Sequence, residues 1–161
     1  LLAWQPQIKV RETAHPKFYW FDAGVARAAA NLVREVPDPA WLGLSLETLL
    51  FHELRVYNHV SGKERGLFYY RTRAGLEVDF VIQVARRTAS RKATVVLVEV
   101  KLGYRWNRTW EAGMRGMMES EKVTVAGAYG LYTGDARYSF DGIKVMPVSE
   151  FLSELYSGRE F

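Results

Sequence analysis

Apolar residues recur along this chain in two rhythms, and each change of rhythm marks an element. Leu46, Leu49, Leu50, Leu54, Tyr57 and Val60 return at the spacing of a helical face, with Thr48, His52, Arg55 and His59 opposite. This predicts a helix from about Leu46 to His59, with Ser45 as its N-cap after Gly43. The rhythm then shortens to that of strands: Leu67 to Arg71, Glu77 to Val84 after the Ala74-Gly75 turn, and Thr94 to Lys101. Val95-Val96-Leu97-Val98 is apolar at consecutive positions, as in a strand covered on both faces.

Beyond these, Trp106 to Ser120 reads as a helix weakened by Gly113 and Gly116, and Val123 to Tyr132 as a strand. Ile143 to Met146 reads as a short edge strand, and Glu150 to Tyr156 as a helix capped by Ser149. Upstream, the aromatic run Lys17-Phe18-Tyr19-Trp20-Phe21 predicts a strand, Asp22-Ala23-Gly24 a turn, and Val25 to Leu32 a helix stopped by Pro37-Asp38-Pro39. The expected fold is α/β, a mixed sheet of core order αβββαβ flanked by helices. A strand and helix leader over 1–42 precedes a main domain over 43–161.

Length and composition narrow this picture. With 161 residues, 48% of them hydrophobic, the chain has material for one buried core. It contains no cysteine, so disulfides and thiolate metal sites are excluded, and any metal must be held by oxygen or histidine. That usage, with no apolar run of membrane length and no signal peptide at Leu1 to Pro6, leads to the expectation of a soluble cytoplasmic protein with no membrane association. A start at leucine rather than methionine suggests a segment of something longer. The net charge of +4 and pI near 9.4 favour an anionic partner.

Candidate chemistry gathers where charges interrupt apolar strands. Glu99 and Lys101 alternate onto one face, about 7 Å apart along their strand. On the preceding strand, alternation puts Val78, Phe80 and Ile82 on one face and Glu77, Asp79 and Val81 on the other. On the helix, Glu47 lies at the edge of the apolar arc and Glu53 within it. A lone Glu99–Lys101 pair is most simply an ion pair at a strand end, and an acid in a first helical turn is favoured by the helix dipole. Several acids converging at the rim of a core are another matter. Burying them costs several kcal/mol each unless a cation or shared protons compensate.

The helix acid, the strand Asp79 and the run Glu99-Val100-Lys101 together resemble the PD-(D/E)XK superfamily of restriction and repair nucleases. More narrowly, Gly43 to Leu54, Leu67 to Thr72, Gly75 to Phe80 and Val98 to Lys101 are similar to the uncharacterised C-terminal domain of prokaryotic AAA-type ATPases. Lys17 to Gly24 looks like that family's linking segment. The resemblance implies a restriction-endonuclease-like fold with Glu47, Asp79, Glu99 and Lys101 as catalytic residues, and an upstream ATPase domain as partner. Val78 stands where the superfamily's name has proline.

Such a site would hydrolyse DNA phosphodiester bonds with Mg²⁺ or Mn²⁺ on Asp79 and Glu99, Lys101 at the phosphate or attacking water, and Glu47 orienting metal-bound water. Glu53 is the substitute for Glu47. Candidate contacts to nucleic acid are Arg71, Arg73, Arg86, Arg87, Arg105 and Arg108, with Tyr104, Trp106 and Trp110 as stacking aromatics. The bland alternative makes the arginines a solvated loop and the tryptophans core. A zinc-protease reading of His52-Glu53 fails because Val56 stands where the second histidine is required, and with no Walker loop this segment binds no ATP in the P-loop manner. The rival function is a non-catalytic module that binds nucleic acid or protein for the ATPase.

Overall fold

The computed structural model describes residues 1–5 and 15–158. Its centre is a seven-stranded mixed sheet in the order β1-β2-β3-β4-β5-β7-β6. The strands are β1 (Leu2–Ala3), β2 (Gly66–Arg71), β3 (Glu77–Ala85), β4 (Thr94–Lys101), β5 (Thr124–Tyr132), β6 (Tyr138–Phe140) and β7 (Ile143–Pro147). The helices are α1 (Ala23–Ala29), α2 (Pro39–Val60), α3 (Ala112–Glu119) and α4 (Val148–Tyr156). A 3₁₀ turn, Arg108–Glu111, leads into α3. The order α2-β2-β3-β4-α3-β5 is the expected αβββαβ core, and the α/β class with helices flanking a mixed sheet is the one observed.

Helices cover both faces. On one, Leu50, Leu54 and Tyr57 of α2 and Phe151 and Leu155 of α4 bury Phe80, Ile82, Val96, Val98 and Val100. On the other, Met114 and Met117 of α3 meet Val78, Val81, Val95 and Leu97. The consecutive apolar residues Val95 to Val98 of β4 follow from this double cover, because each face of the strand meets a core. α3 reaches the sheet because it carries glycine at 113. A Cβ there would stand 1.8 Å from the carbonyl oxygen of Glu77, so the helix rests directly on the backbone at the start of β3.

Several expected boundaries move. α2 starts at Pro39 rather than near Leu46, capped by Asp38, whose side chain accepts from the Trp41 amide. Pro39 is at home in a first helical turn, where its missing N–H has no partner to lose. Ser45 lies inside the helix and donates to the Trp41 carbonyl. The 42/43 boundary thus falls within a helix. On α2, Leu49 and Val60 are exposed and Thr48 is buried, the reverse of the expected faces. Ile143–Pro147 is not an edge strand, since β6 pairs outside it. α4 starts at Val148, with no side-chain cap from Ser149. The aromatic run is not a strand: 15–20 is a strap without regular secondary structure, and among the described residues the leader's strand is β1, parallel to β2.

Candidate functional site

The antiparallel β2-β3-β4 ladder brings one set of strand ends together. Arg71 pairs with Glu77 across β2 and β3, and Phe80 with Val98 across β3 and β4, so Glu77 and Asp79 start beside the end of β4 at Glu99 and Lys101. Between Phe68 and Tyr70 the register slips, with Phe68 opposite Val81 but Tyr70 opposite Val78. β3 therefore carries one extra residue, a bulge at Asp79–Phe80. This corrects the alternation expected for β3: Val78 packs in the α3 core, while Phe80 and Ile82 pack in the α2 core.

At the bulge the hydrogen bonds turn from strand to side chain. The Asp79 amide donates to Glu99 Oε2 at 3.3 Å, and the Val100 amide donates to Asp79 Oδ2 at 2.9 Å. Lys101 spans the pair, bonded to Glu99 Oε1 and lying 3.5 Å from Asp79 Oδ2. Asp79 and Glu99 are 6% and 4% exposed, so these charges interact with little water between them. α2 adds Glu47, which lies one turn before Leu50 on the buried stripe and so reaches the same rim.

The remaining partner comes from the strap. Lys17 Nζ lies 2.7 Å from Glu47 Oε1, 2.5 Å from Glu77 Oε1 and 3.2 Å from Asp79 Oδ1. Tyr19 donates to Glu47 Oε1 at 2.5 Å while its ring stacks on Phe51. The structure thus brings together all four expected catalytic residues and adds Lys17, Tyr19 and Glu77. Glu53 is elsewhere, accepting from the Tyr156 hydroxyl. Glu77 was legible as a neighbour on the Asp79 strand. Lys17 was hidden at the head of an aromatic run that mimics a strand.

The electrostatics are those of an overcharged sheet rim. Burial, and then Asp79, push the Glu99 carboxyl up to about 8, against the opposing pull of Lys101. Burial alone would lower the two ammoniums, but Asp79 and Glu47 outweigh it at Lys17, and Asp79 and Glu99 at Lys101, so both are held above the ordinary lysine value. Burial and Glu47 raise the Tyr19 phenol. Four acids thus face two lysines, with the mostly exposed Arg71 reaching Glu77 at 3.3 Å.

The donor set of Asp79 and Glu99, hard oxygens carrying excess negative charge, fits Mg²⁺ or Mn²⁺ in kind. Among the described residues, however, no group of three or more His, Cys, Asp or Glu side chains is disposed to hold a metal ion. The cation among Glu47, Glu77 and Asp79 is the Lys17 ammonium.

The expected arginine contacts divide by position. Arg71 and Arg73 lie at the site end of β2 and in the turn after it, both exposed. Exposed Arg86 and Arg87 follow the far end of β3, roughly 23 Å along the strand from Asp79. Arg105 is exposed in the segment after β4. Arg108 is engaged, 2.6 Å from Asp141 and stacked over Phe140. Trp106 is half-buried and donates to Glu111, whereas Tyr104 is exposed. No helix among the described residues is long and apolar enough to cross a membrane.

A mixed α/β protein, helix-covered on both faces and carrying a carboxylate and lysine cluster at one end of three antiparallel strands, is the class these features define. Residues 42–151 match the family model described as "Domain of unknown function (DUF4143)", and the chain belongs to that family. No curated protein and no solved structure matches it. The matched span contains Glu47, Glu77, Asp79, Glu99 and Lys101, and leaves Lys17 and Tyr19 outside.

Proposed function

We propose that this chain is a metal-dependent nuclease domain of the PD-(D/E)XK kind, hydrolysing DNA phosphodiester bonds as the C-terminal part of an AAA-type ATP-binding protein. The observation that carries the reading is the contact of Asp79, Glu99 and Lys101 at one strand junction, two buried acids bridged by one ammonium. A bulge that aims a carboxylate at a sheet rim is common beside active sites and supports it.

Asp79 and Glu99 would hold Mg²⁺ or Mn²⁺, which when bound supplies Lewis acidity and a more acidic water. Lys101 carries a compact positive charge to the same rim, suited to a phosphate oxygen whose negative charge grows as the ester bond breaks. The Val100 amide fixes the Asp79 carboxylate in place, so its orientation does not depend on substrate. Glu47 lies on the α2 side, linked to Asp79 through Lys17, in position to orient water. Arg71 and Arg73, at the same end, suit the flanking phosphates, and the upstream ATPase would act as partner.

The test is incubation of plasmid and single-stranded DNA with the chain and Mg²⁺ or Mn²⁺, beside Asp79→Asn, Lys101→Ala and an EDTA control. Cleavage abolished in both variants and in EDTA is the expected result. A folded chain that binds DNA and cuts neither substrate would favour the second reading, a non-catalytic binding module of the ATPase. The observation on that side is the lysine already lodged among Glu47, Glu77 and Asp79.

A further inference from the structure

Lys17 reaches Asp79 from outside the span that the family model matches, on a segment with no regular secondary structure of its own. Its backbone pairs with Leu1, through Leu1 N to Lys17 O at 2.6 Å and Lys17 N to Leu1 O at 2.9 Å. Tyr69 donates to the His15 carbonyl, and His52 Nε2 lies 2.7 Å from the Trp20 carbonyl oxygen. Of the aromatic run only Tyr19 is half-buried, whereas Phe18, Trp20 and Phe21 are exposed. The strap's apolar attachment is the Tyr19 ring, set against Phe51 and Phe80, with Phe21 beside His52, and its polar side-chain attachment centres on the acids that Lys17 and Tyr19 meet.

We propose that residues 15–22 form a releasable autoinhibitory strap whose lysine stands in for a divalent cation, so that strap and metal compete for the carboxylate rim around Asp79. The proposal rests on the reading that metal binds beside Asp79, and it adds a regulation of that site. An ammonium 3.2 Å from Asp79 Oδ1 repels a divalent cation brought to the same oxygen, and each answers the same excess of negative charge. Whatever lifts the strap opens the site, and whatever fills the site with metal loosens the strap.

The test reads metal binding and strap protection, not cleavage. Mn²⁺ is titrated into the chain and into Lys17→Met, which keeps the stem and removes the charge, with free Mn²⁺ followed by electron paramagnetic resonance. If the strap is docked nine-tenths of the time, the variant binds about tenfold more tightly. In the unaltered chain, saturating Mg²⁺ speeds amide exchange across 15–22 and leaves β3 and β4 protected. Equal Mn²⁺ affinity in the two chains, or strap exchange indifferent to Mg²⁺, overturns the proposal. Should Lys17→Met not fold, the exchange measurement on the unaltered chain decides alone. Metal-driven release of the strap without any DNA cleavage would sink the nuclease reading and leave this one standing.

Discussion

Two clusters of charge are built around buried acids, and they are built on opposite terms. Glu111, at the entry to α3, has no exposed surface; its carboxylate accepts from Trp106 Nε1 and from Arg115, and Arg108 stands beside it. Arg108 and Arg115 also share Asp141, so two acids meet two arginines. Around Asp79, four acids meet two lysines, and Glu99 stays partly protonated near neutral pH. The first cluster is balanced and forked, with planar guanidiniums satisfying several oxygens at once. The second keeps an excess of negative charge and point-like ammoniums that a divalent cation could replace. Balance suits a cluster that holds structure, and imbalance is what the nuclease reading proposed above requires of the other.

Removing an acid from each tests that contrast. Glu111→Ala removes a fully buried side chain and leaves the Trp106 N–H without its acceptor, and should cost about 2–3 kcal/mol in urea denaturation. A loss under about 1 kcal/mol would remove the structural role given to the balanced cluster. Gly113→Ala comes next, because its methyl must displace the Glu77 carbonyl; overpacking of this kind costs about 1–3 kcal/mol. It should also reduce any function of the Asp79 rim, since α3 would push the start of β3.

Glu99→Gln should act in the other direction. The folded carboxyl titrates near 8 against an ordinary value near 4.5, so between those values the folded chain keeps a proton the unfolded chain has lost. Its contribution to stability is complete below about 4.5 and is lost as pH rises through about 8. In the metal-free protein, melting temperature should decline across that window in the parent and decline less in Glu99→Gln. Identical pH profiles would show that Glu99 is ionised throughout. The smallest effect is expected for Arg137→Ala, whose ion pairs to Glu150 and Glu154 are open to water, with no measurable shift in the denaturation midpoint.

The sequence carried most of the strands and the chemical core of the site, for definite reasons. β2, β3 and β4 are bounded by turns and saturated with apolar residues, so charges at Asp79, Glu99 and Lys101 stand out against them. The start of α2 was hidden because Pro37-Asp38-Pro39 reads as a break, although Asp38 and Pro39 are the cap and first residue of the helix. β6 is three residues long, too short for periodicity to register. The bulge at Asp79 has no signature in alternation, because it alters pairing and not composition. Lys17 was the costliest miss, since its meaning depends on an approach from 62 residues away along the chain.

Position 113 shows how a mutational map of this chain will need to be read. Every replacement there adds at least a Cβ, and each must meet the same backbone carbonyl, whatever its polarity or size. On the nuclease reading proposed above, a saturation screen scored by activity would therefore rank Gly113 with Asp79 and Lys101 among the least tolerant positions, although it has no group to offer a substrate. Scored by abundance as well, the two kinds separate. Gly113 variants lose protein and activity together, whereas Asp79 and Lys101 variants keep the protein and lose the activity.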